Sequence, residues 1–350
     1  LAREEEFAGL DESGQLAGRE PDAARPFAHE QMVACEECLR ANAPTRLTCL
    51  YCGAKLPATE QSAALRRPVL KKLDEWEQGF NVVALAGRAQ ATTPEMLEEA
   101  ASLMRLDAGR LGEIVNSGLA LPLARTSTAE EAELVVERLR ALGLQAEVFA
   151  DEALARRPLR VRAFDFEEGA LVCLTGPGAE PRRVRWGEVA LLVRGRVVSR
   201  RVEVAERKRG FGGRSEMVDA RELASDEEVL DVYAASAGDE TGFRVLSGGF
   251  DYSCLGEAKG LLAASNFGAL VEALRARAAS AQYDEGYARL RPLLSDAWPA
   301  GERTESLGLR RERAGRINTE AVTTVSNEGQ FTRYARLRHL LTLRARAESL

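Results

Sequence analysis

The chain has 350 residues, 45% of them hydrophobic and 29% charged, with a formal net charge of −6. This is the composition of a globular protein of two or three domains, and it gives no overall electrostatic pull toward nucleic acid or an anionic membrane. No apolar run reaches the ~18–20 residues of a membrane helix, and two of the six cysteines (Cys173 and Cys254) stand alone, which excludes a secreted disulfide framework and predicts a cytoplasmic protein.

Residues 1–31 are polar and begin LAREEEFAGLDESG, without the apolar core of a signal peptide. Met32 comes just before the first cysteine. The expectation is that Met32 is the natural start and that 1–31 form a disordered leader.

The next stretch, CEECLRANAPTRLTCLYCG (35–53), holds two Cys-x-x-Cys pairs, Cys35/Cys38 and Cys49/Cys52. Each pair can turn two thiolates toward one point, and four thiolates complete a closed tetrahedral site for a structural Zn²⁺. Asn42 and Pro44 suit a reversal between the pairs, and Gly53 suits a left-handed residue after the last cysteine. A redox pair would open a helix after a strand, iron–sulfur spacings differ, and disulfides are disfavoured in the cytosol. The predicted ribbon, 32–56, is too short for its own core, so metal supplies its folding energy. The pattern Cys35-x2-Cys38-x3-Asn42-x6-Cys49-x2-Cys52 resembles the Ran-binding-protein type of zinc finger, with Val33 where that family usually has Trp. The resemblance implies binding of single-stranded RNA or ubiquitin, with Arg40, Arg46 and Tyr51 as the residues available for contact.

Residues 57–78 read as a linker, with a proline at each end of LPATEQSAALRRP. In the small α/β module predicted over 79–150, GFNVVALAG suits a buried strand. TTPEMLEEAASLMRL is a helix capped by Thr93 with Pro94 at its first position, and LGEIVNSG is a short helix ending at Gly118. After LPLART, STAEEAELVVERLRALG is a helix with a capping box from Ser127 and Glu130. Its apolar face is Ala132, Val135, Val136, Leu139 and Leu142, and Gly143 closes it. LQAEVFA is the returning strand. Element order and the phrases FNVV and AEEAELVVERLRALGLQAEV resemble the C-terminal domain of the bacterial ribosomal stalk protein. The resemblance implies a docking face near Arg105 and Arg110, here flanked by Asp107 and Glu113.

From Leu159 the period becomes two. LRVRAFDFEEGALVCL reads as a hairpin turning at Glu167–Gly169, and TGPGAEP is a second turn. RRVRWGEVALLVRGRVVSRRVEVAER is strand-rich, with Gly187 and Gly195 as candidate bends. KRGFGGRSE reads as a flexible loop, SDEEVLDVYAA as helix or strand, FRVL and FDYSCL as strands, and NFGALVEALRARAA as a helix with Phe267, Leu270, Val271 and Leu274 on one face. The region 158–300 therefore predicts a curved antiparallel β domain capped by a helix. It resembles the pleckstrin-homology-like fold, with the phrase around Trp186 as the most similar. The resemblance implies peptide, protein or phosphoinositide binding, the last through Arg207, Lys208, Arg209 and Arg214. Residues 301–350 form an Arg-rich tail. TTVSNEGQ reads as a loop, and QFTRYARLRHLLTLRARAESL as a helix with Phe331, Leu337 and Leu341 near one face. Its basic side could meet nucleic acid, an acidic partner, or this protein's own acidic residues.

No catalytic constellation stands out. The histidines are His29, in the expected leader, and His339, which sits on a basic helix with no acid partner nearby in sequence. GFGG and LTGPG match no phosphate-binding motif. The pairs Asp251-Tyr252 and Tyr283-Asp284 read as structural, and Cys254 as a core thiol. The fold class expected is α+β and multidomain. The function expected is that of a non-catalytic, zinc-binding cytoplasmic adaptor or regulator with an unknown protein partner. Two alternatives are an RNA-binding regulator using the finger and the tail, and an enzyme with a carboxylate site in 158–300.

Overall fold

The structure is a computed structural model that describes residues 27–58, 62, 65–74, 77–86, 93–208, 215–235, 242–313 and 316–348. The expected leader up to residue 26 and most of the KRGFGGRSE loop (209–214) lie outside the described residues. The chain is α+β and divides into two compact units, Leu1–Arg67 and Pro68–Leu350. No helix among the described residues is long and apolar enough to cross a membrane.

In the first unit, a two-residue ladder pairs β1 (Val33–Ala34) with β2 (Ala41–Asn42). Its only apolar cluster among the described residues is Val33, Cys35, Cys49 and Leu56, with Cys38 and Ala54 against it.

The second unit begins with β3 (Phe80–Ala84), then α1 (Pro94–Met104), α2 (Ala108–Asn116), β4 (Leu121–Thr126), α3 (Ala129–Ala141), β5 (Ala146–Ala150) and the single turn α4 (Asp151–Leu154). Strand β3 is central, antiparallel to both β4 and β5. Thr93 caps α1 with Pro94 at its first position, as the sequence predicts. Gly143 adopts φ 79° after α3, also as predicted. The cap of α3 is one residue later than expected: Thr128, not Ser127, accepts from Glu131 N at 3.2 Å. Glu131 itself is buried, and its carboxylate takes the Val69 and Leu70 N–H groups at 2.6 and 2.7 Å.

After β6 (Leu159–Arg160), a three-stranded antiparallel sheet comprises β7 (Ala163–Phe166), β8 (Ala170–Leu174) and β9 (Arg182–Arg185). The hairpin turns at Glu167–Gly169, as expected. A 3-10 turn, Trp186–Glu188, separates β9 from β10 (Val189–Lys208), so Gly187 does sit at a break. β10 and β11 (Ser215–Ala234) form a long antiparallel pair. β12 (Gly242–Leu246), β13 (Gln282–Asp284), β14 (Gly301–Arg313) and β15 (Arg316–Ser326) complete a curled seven-stranded sheet in the order β14-β15-β10-β11-β12-β6, with β13 also on β10. The ambiguous SDEEVLDVYAA is therefore strand. FDYSCL is not: Tyr252–Ala258 is a 3-10 segment, because the Asp251 carboxylate accepts from Ser253 N and turns the chain. The expected loop TTVSNEGQ is the end of β15 running through Asn327 into α7 (Glu328–Glu348).

The sheet is covered on both faces near its base, which is why VALLV and VLDVY read as nearly unbroken apolar runs. On one face Leu192, Leu230, Val232, Phe243 and Val245 meet the predicted face of α5 (Ala263–Arg277), through Phe267, Leu270, Val271 and Leu274. On the other, Leu191, Val193, Val229 and Tyr233 meet Phe331, Tyr334 and Leu337 of α7. That second core continues through Tyr287 and Leu290 of α6 (Tyr287–Leu294) and Trp298 into Val82, Leu139 and Phe149, so the 79–150 segment shares it. A polar chain crosses the same junction. Asn81 accepts from Trp298 Nε1 at 2.7 Å and donates to the buried Asp151 at 3.0 Å, and Arg125 also binds Asp151.

Gly195 is not a bend. It lies in continuous β10 directly beneath the Phe331 ring, where a β-carbon would overlap the ring carbons. Gly195→Ala is expected to cost about 1–3 kcal/mol through overpacking. In a urea-unfolding double-mutant cycle with Phe331→Leu, the two changes should be strongly non-additive.

Candidate metal centre

The two Cys-x-x-Cys pairs fold as near-repeats of one another. In the first, Cys35 N donates to Arg40 O (3.0 Å) and Leu39 N to Cys35 O (2.8 Å). In the second, Cys49 N donates to Ala54 O (2.8 Å) and Gly53 N to Cys49 O (3.0 Å). The residue after each pair is left-handed: Leu39 at φ 59° and Gly53 at φ 77°. Glycine takes that conformation freely, as the sequence predicts for Gly53, whereas leucine takes it at a steric cost.

The repeat turns all four sulfurs inward. Cys35, Cys38, Cys49 and Cys52 place their Sγ atoms within 4.8 Å of one another, an arrangement that can hold a metal ion. The Cys35–Cys52 and Cys38–Cys49 separations are 3.6 and 3.5 Å, far beyond a disulfide bond, and all four thiols are free. A tetrahedron of thiolates about 2.3 Å from a central ion has edges near 3.8 Å, so the sulfurs need almost no movement to close on one.

Asn42 braces the site. Its amide donates to Arg40 O (2.9 Å) and to Cys49 Sγ (3.5 Å), while its carbonyl accepts from Leu50 N (2.8 Å). One side chain therefore ties β2, the first knuckle and the second together. Burial works against a charged Cys49, but the Cys52 and Tyr51 N–H groups and the Asn42 amide outweigh it, lowering its pKa to about 6. At Cys52 the Ala54 N–H favours the thiolate, yet burial and the neighbouring sulfurs prevail and push it up to about 12. Ionised Cys49 thus opposes ionisation of Cys52 unless a cation lies between the sulfurs.

Three large apolar side chains of the knuckles are exposed, alongside the charged Glu36 and Glu37. Leu39, Leu50 and Tyr51 are 81%, 63% and 53% exposed, and the Arg40 guanidinium lies 4.7 Å from the Tyr51 ring centroid. Leu39 follows a cysteine and Leu50-Tyr51 lie between two, so the knuckles fix where these side chains point. The sequence names Arg40 and Tyr51, but the two leucines escape notice because a single leucine in a loop carries no pattern.

The remaining candidates fall into structural roles. His339 is buried, with Nε2 bonded to Ala234 O (3.0 Å) and Nδ1 facing Arg336 (3.4 Å); burial lowers its pKa to about 4. Burial pushes Cys173 up to about 12 and Cys254 up to about 11; Cys173 is the core thiol, while Cys254, expected in the core, is half-buried at its edge. Asp251 caps the 3-10 segment and Tyr252 donates to Ser247 O, while Asp284 receives Tyr334 Oη (2.8 Å) and Arg338 Nε (2.7 Å). Three arginines of the tail's helix meet carboxylates: Arg338 pairs with Asp284, Arg344 with Glu147, and Arg333 lies 3.5 Å from Asp151. Arg105 and Arg110 differ in setting. Arg105 is the left-handed C-cap of α1, and Arg110 pairs with Asp296 at 3.2 Å.

No protein-family model matches the chain, and no curated protein or solved structure matches it either.

Proposed function

We propose that the chain is a non-catalytic, cytoplasmic adaptor or regulator that binds another protein, with a zinc-organised finger as its docking element. The observation that carries this reading is the exposure of Leu39, Leu50 and Tyr51 on the two knuckles that hold the four sulfurs. Exposed leucines and an aromatic with an arginine over its face are the composition of an interface anchor. Zinc suits the site because four thiolates in a closed tetrahedron are its preferred structural environment. The Ran-binding-protein-type resemblance supports the same reading, since Asn42 stands at that family's asparagine position and braces both knuckles.

Charge favours a protein over RNA. The ribbon 32–56 has Glu36 and Glu37 against Arg40, Arg46 and Lys55. Four thiolates around one divalent ion then leave the loaded finger with a net charge of about −1, which gives a polyanion no attraction. The likenesses to the stalk C-terminal domain and the pleckstrin-homology-like fold, both binding folds, add support from element order alone.

The test is capture of cross-linked partners by the full chain. Leu50→Ser with Tyr51→Ala should weaken the specific partner at least ~10-fold, as loss of an interface anchor does. The exposed Arg303→Gln on β14 should not. Capture that is abolished by ribonuclease and falls steeply with salt would favour the RNA reading instead.

A further inference from the structure

A cleft of about 480 Å³ opens in the Pro68–Leu350 unit, lined by Arg156, Arg157, Leu159, Arg182, Tyr233 and Arg336 among others. Four arginines are among the residues that line it, and the described lining residues include no carboxylate. Arg156 and Arg182 have interactions of their own, and Arg157 is exposed at the rim.

Arg336 is the informative residue. It is only 5% exposed, yet it lines the cleft. Its Nε donates to Ala153 O at 3.3 Å, and its Nη1 faces His339 Nδ1 at 3.4 Å. Its guanidinium carbon lies 5.9 Å from the Tyr233 ring centroid. All of these are neutral groups. His339 donates through Nε2 to Ala234 O, which leaves Nδ1 as the acceptor for Arg336 and provides no counter-charge. On the same helix Arg333, Arg338 and Arg344 each meet a carboxylate. Arg336 instead brings a full positive charge out of water and turns it toward a cavity. A buried guanidinium is stable there when an anion completes its surroundings.

We infer that this cleft binds a small phosphate-bearing molecule, with Arg336 as the buried anchor and Arg157 at the rim. Guanidinium forks match phosphate oxygens in pairs, and the two forks of Arg336 and Arg157 at one cleft suit a group carrying more than one negative charge. The volume falls within the ~300–1,000 Å³ of small-molecule sites and exceeds what a lone inorganic ion fills. Pro158 and Leu159 give an apolar wall for the organic part, and Tyr233, stacked on His339 at 4.5 Å, forms a rigid floor. The inference stands apart from the docking role of the finger.

The test is calorimetric titration of the full chain with inorganic pyrophosphate, ATP and adenosine at constant ionic strength. Pyrophosphate and ATP should bind saturably at one site, and adenosine should not. Arg336→Gln should weaken binding at least ~10-fold, the loss expected when a charged hydrogen-bonding partner is removed. Arg157→Gln, at an exposed position that folding tolerates, should weaken it several-fold even if Arg336→Gln fails to fold, and Arg303→Gln should leave it unchanged. No saturable binding, or equal affinity in Arg157→Gln and wild type, overturns the inference.

Discussion

Asp231→Ala is expected to destabilise the Pro68–Leu350 unit by about 3–5 kcal/mol, the cost of stranding one member of a buried ion pair. Asp231 of β11 and Arg244 of β12 are cross-strand partners, both on the sheet face that packs against α7. Arg244 Nε and Nη2 reach the two carboxylate oxygens at 2.8 and 2.7 Å, and Tyr233 Oη adds a third bond at 3.2 Å. The guanidinium also reaches Glu328 at 3.2 Å and lies 5.1 Å from the Phe331 ring centroid. Burial disfavours the charge on Arg244, but Asp231 more than offsets it and holds the residue firmly protonated. Alanine at 231 removes that compensation while the cation stays inside. Asp231→Leu combined with Arg244→Met removes both charges and should recover most of the loss. Urea unfolding of the three variants checks this. A loss below 1 kcal/mol for Asp231→Ala would mean that water reaches the pair.

Cys35→Ser is expected to unfold the finger and leave the second unit folded. The finger's apolar cluster is Val33, Cys35, Cys49 and Leu56, with Cys38 and Ala54 against it, far too little to offset the chain entropy of some thirty residues. Structural zinc contributes roughly 10–16 kcal/mol of apparent binding energy in isolated finger peptides. Loss of one ligand should therefore abolish amide protection over 33–56. The Pro68–Leu350 unit has cores of its own and should keep its protection. Cys254→Ser, outside the cluster, should change neither. Retained protection over 33–56 in Cys35→Ser would show that hydrogen bonds and packing suffice without the metal.

The metal cluster was legible because its information is local: spacing alone brings each cysteine pair to one point. Caps were legible for the same reason at Thr93, Pro94 and Gly143. The α3 cap slipped by one residue because Glu131 serves the distant Val69 and Leu70, which no local pattern announces. Strands β14 and β15 went unread. Along GERTES (301–306) and AVTTVS (321–326), charged, polar and small residues fall on both faces of the ladder, so the alternation that marks a one-sided strand is missing. Asp231 and Arg244 carry no local signal of pairing, since each is a single charge inside a short apolar run. Only the register of β11 with β12 shows them to be partners. The Asn81–Trp298 bond joins residues 217 apart and leaves no trace in either local sequence.

The most direct test of a zinc-organised docking element is elemental analysis of the full chain purified without added metal. The account predicts one zinc ion per chain, with Cys35, Cys38, Cys49 and Cys52 protected from alkylation until a chelator is added. Metal-free protein in which 33–56 is nonetheless folded, or thiols that alkylate freely before chelation, would contradict it.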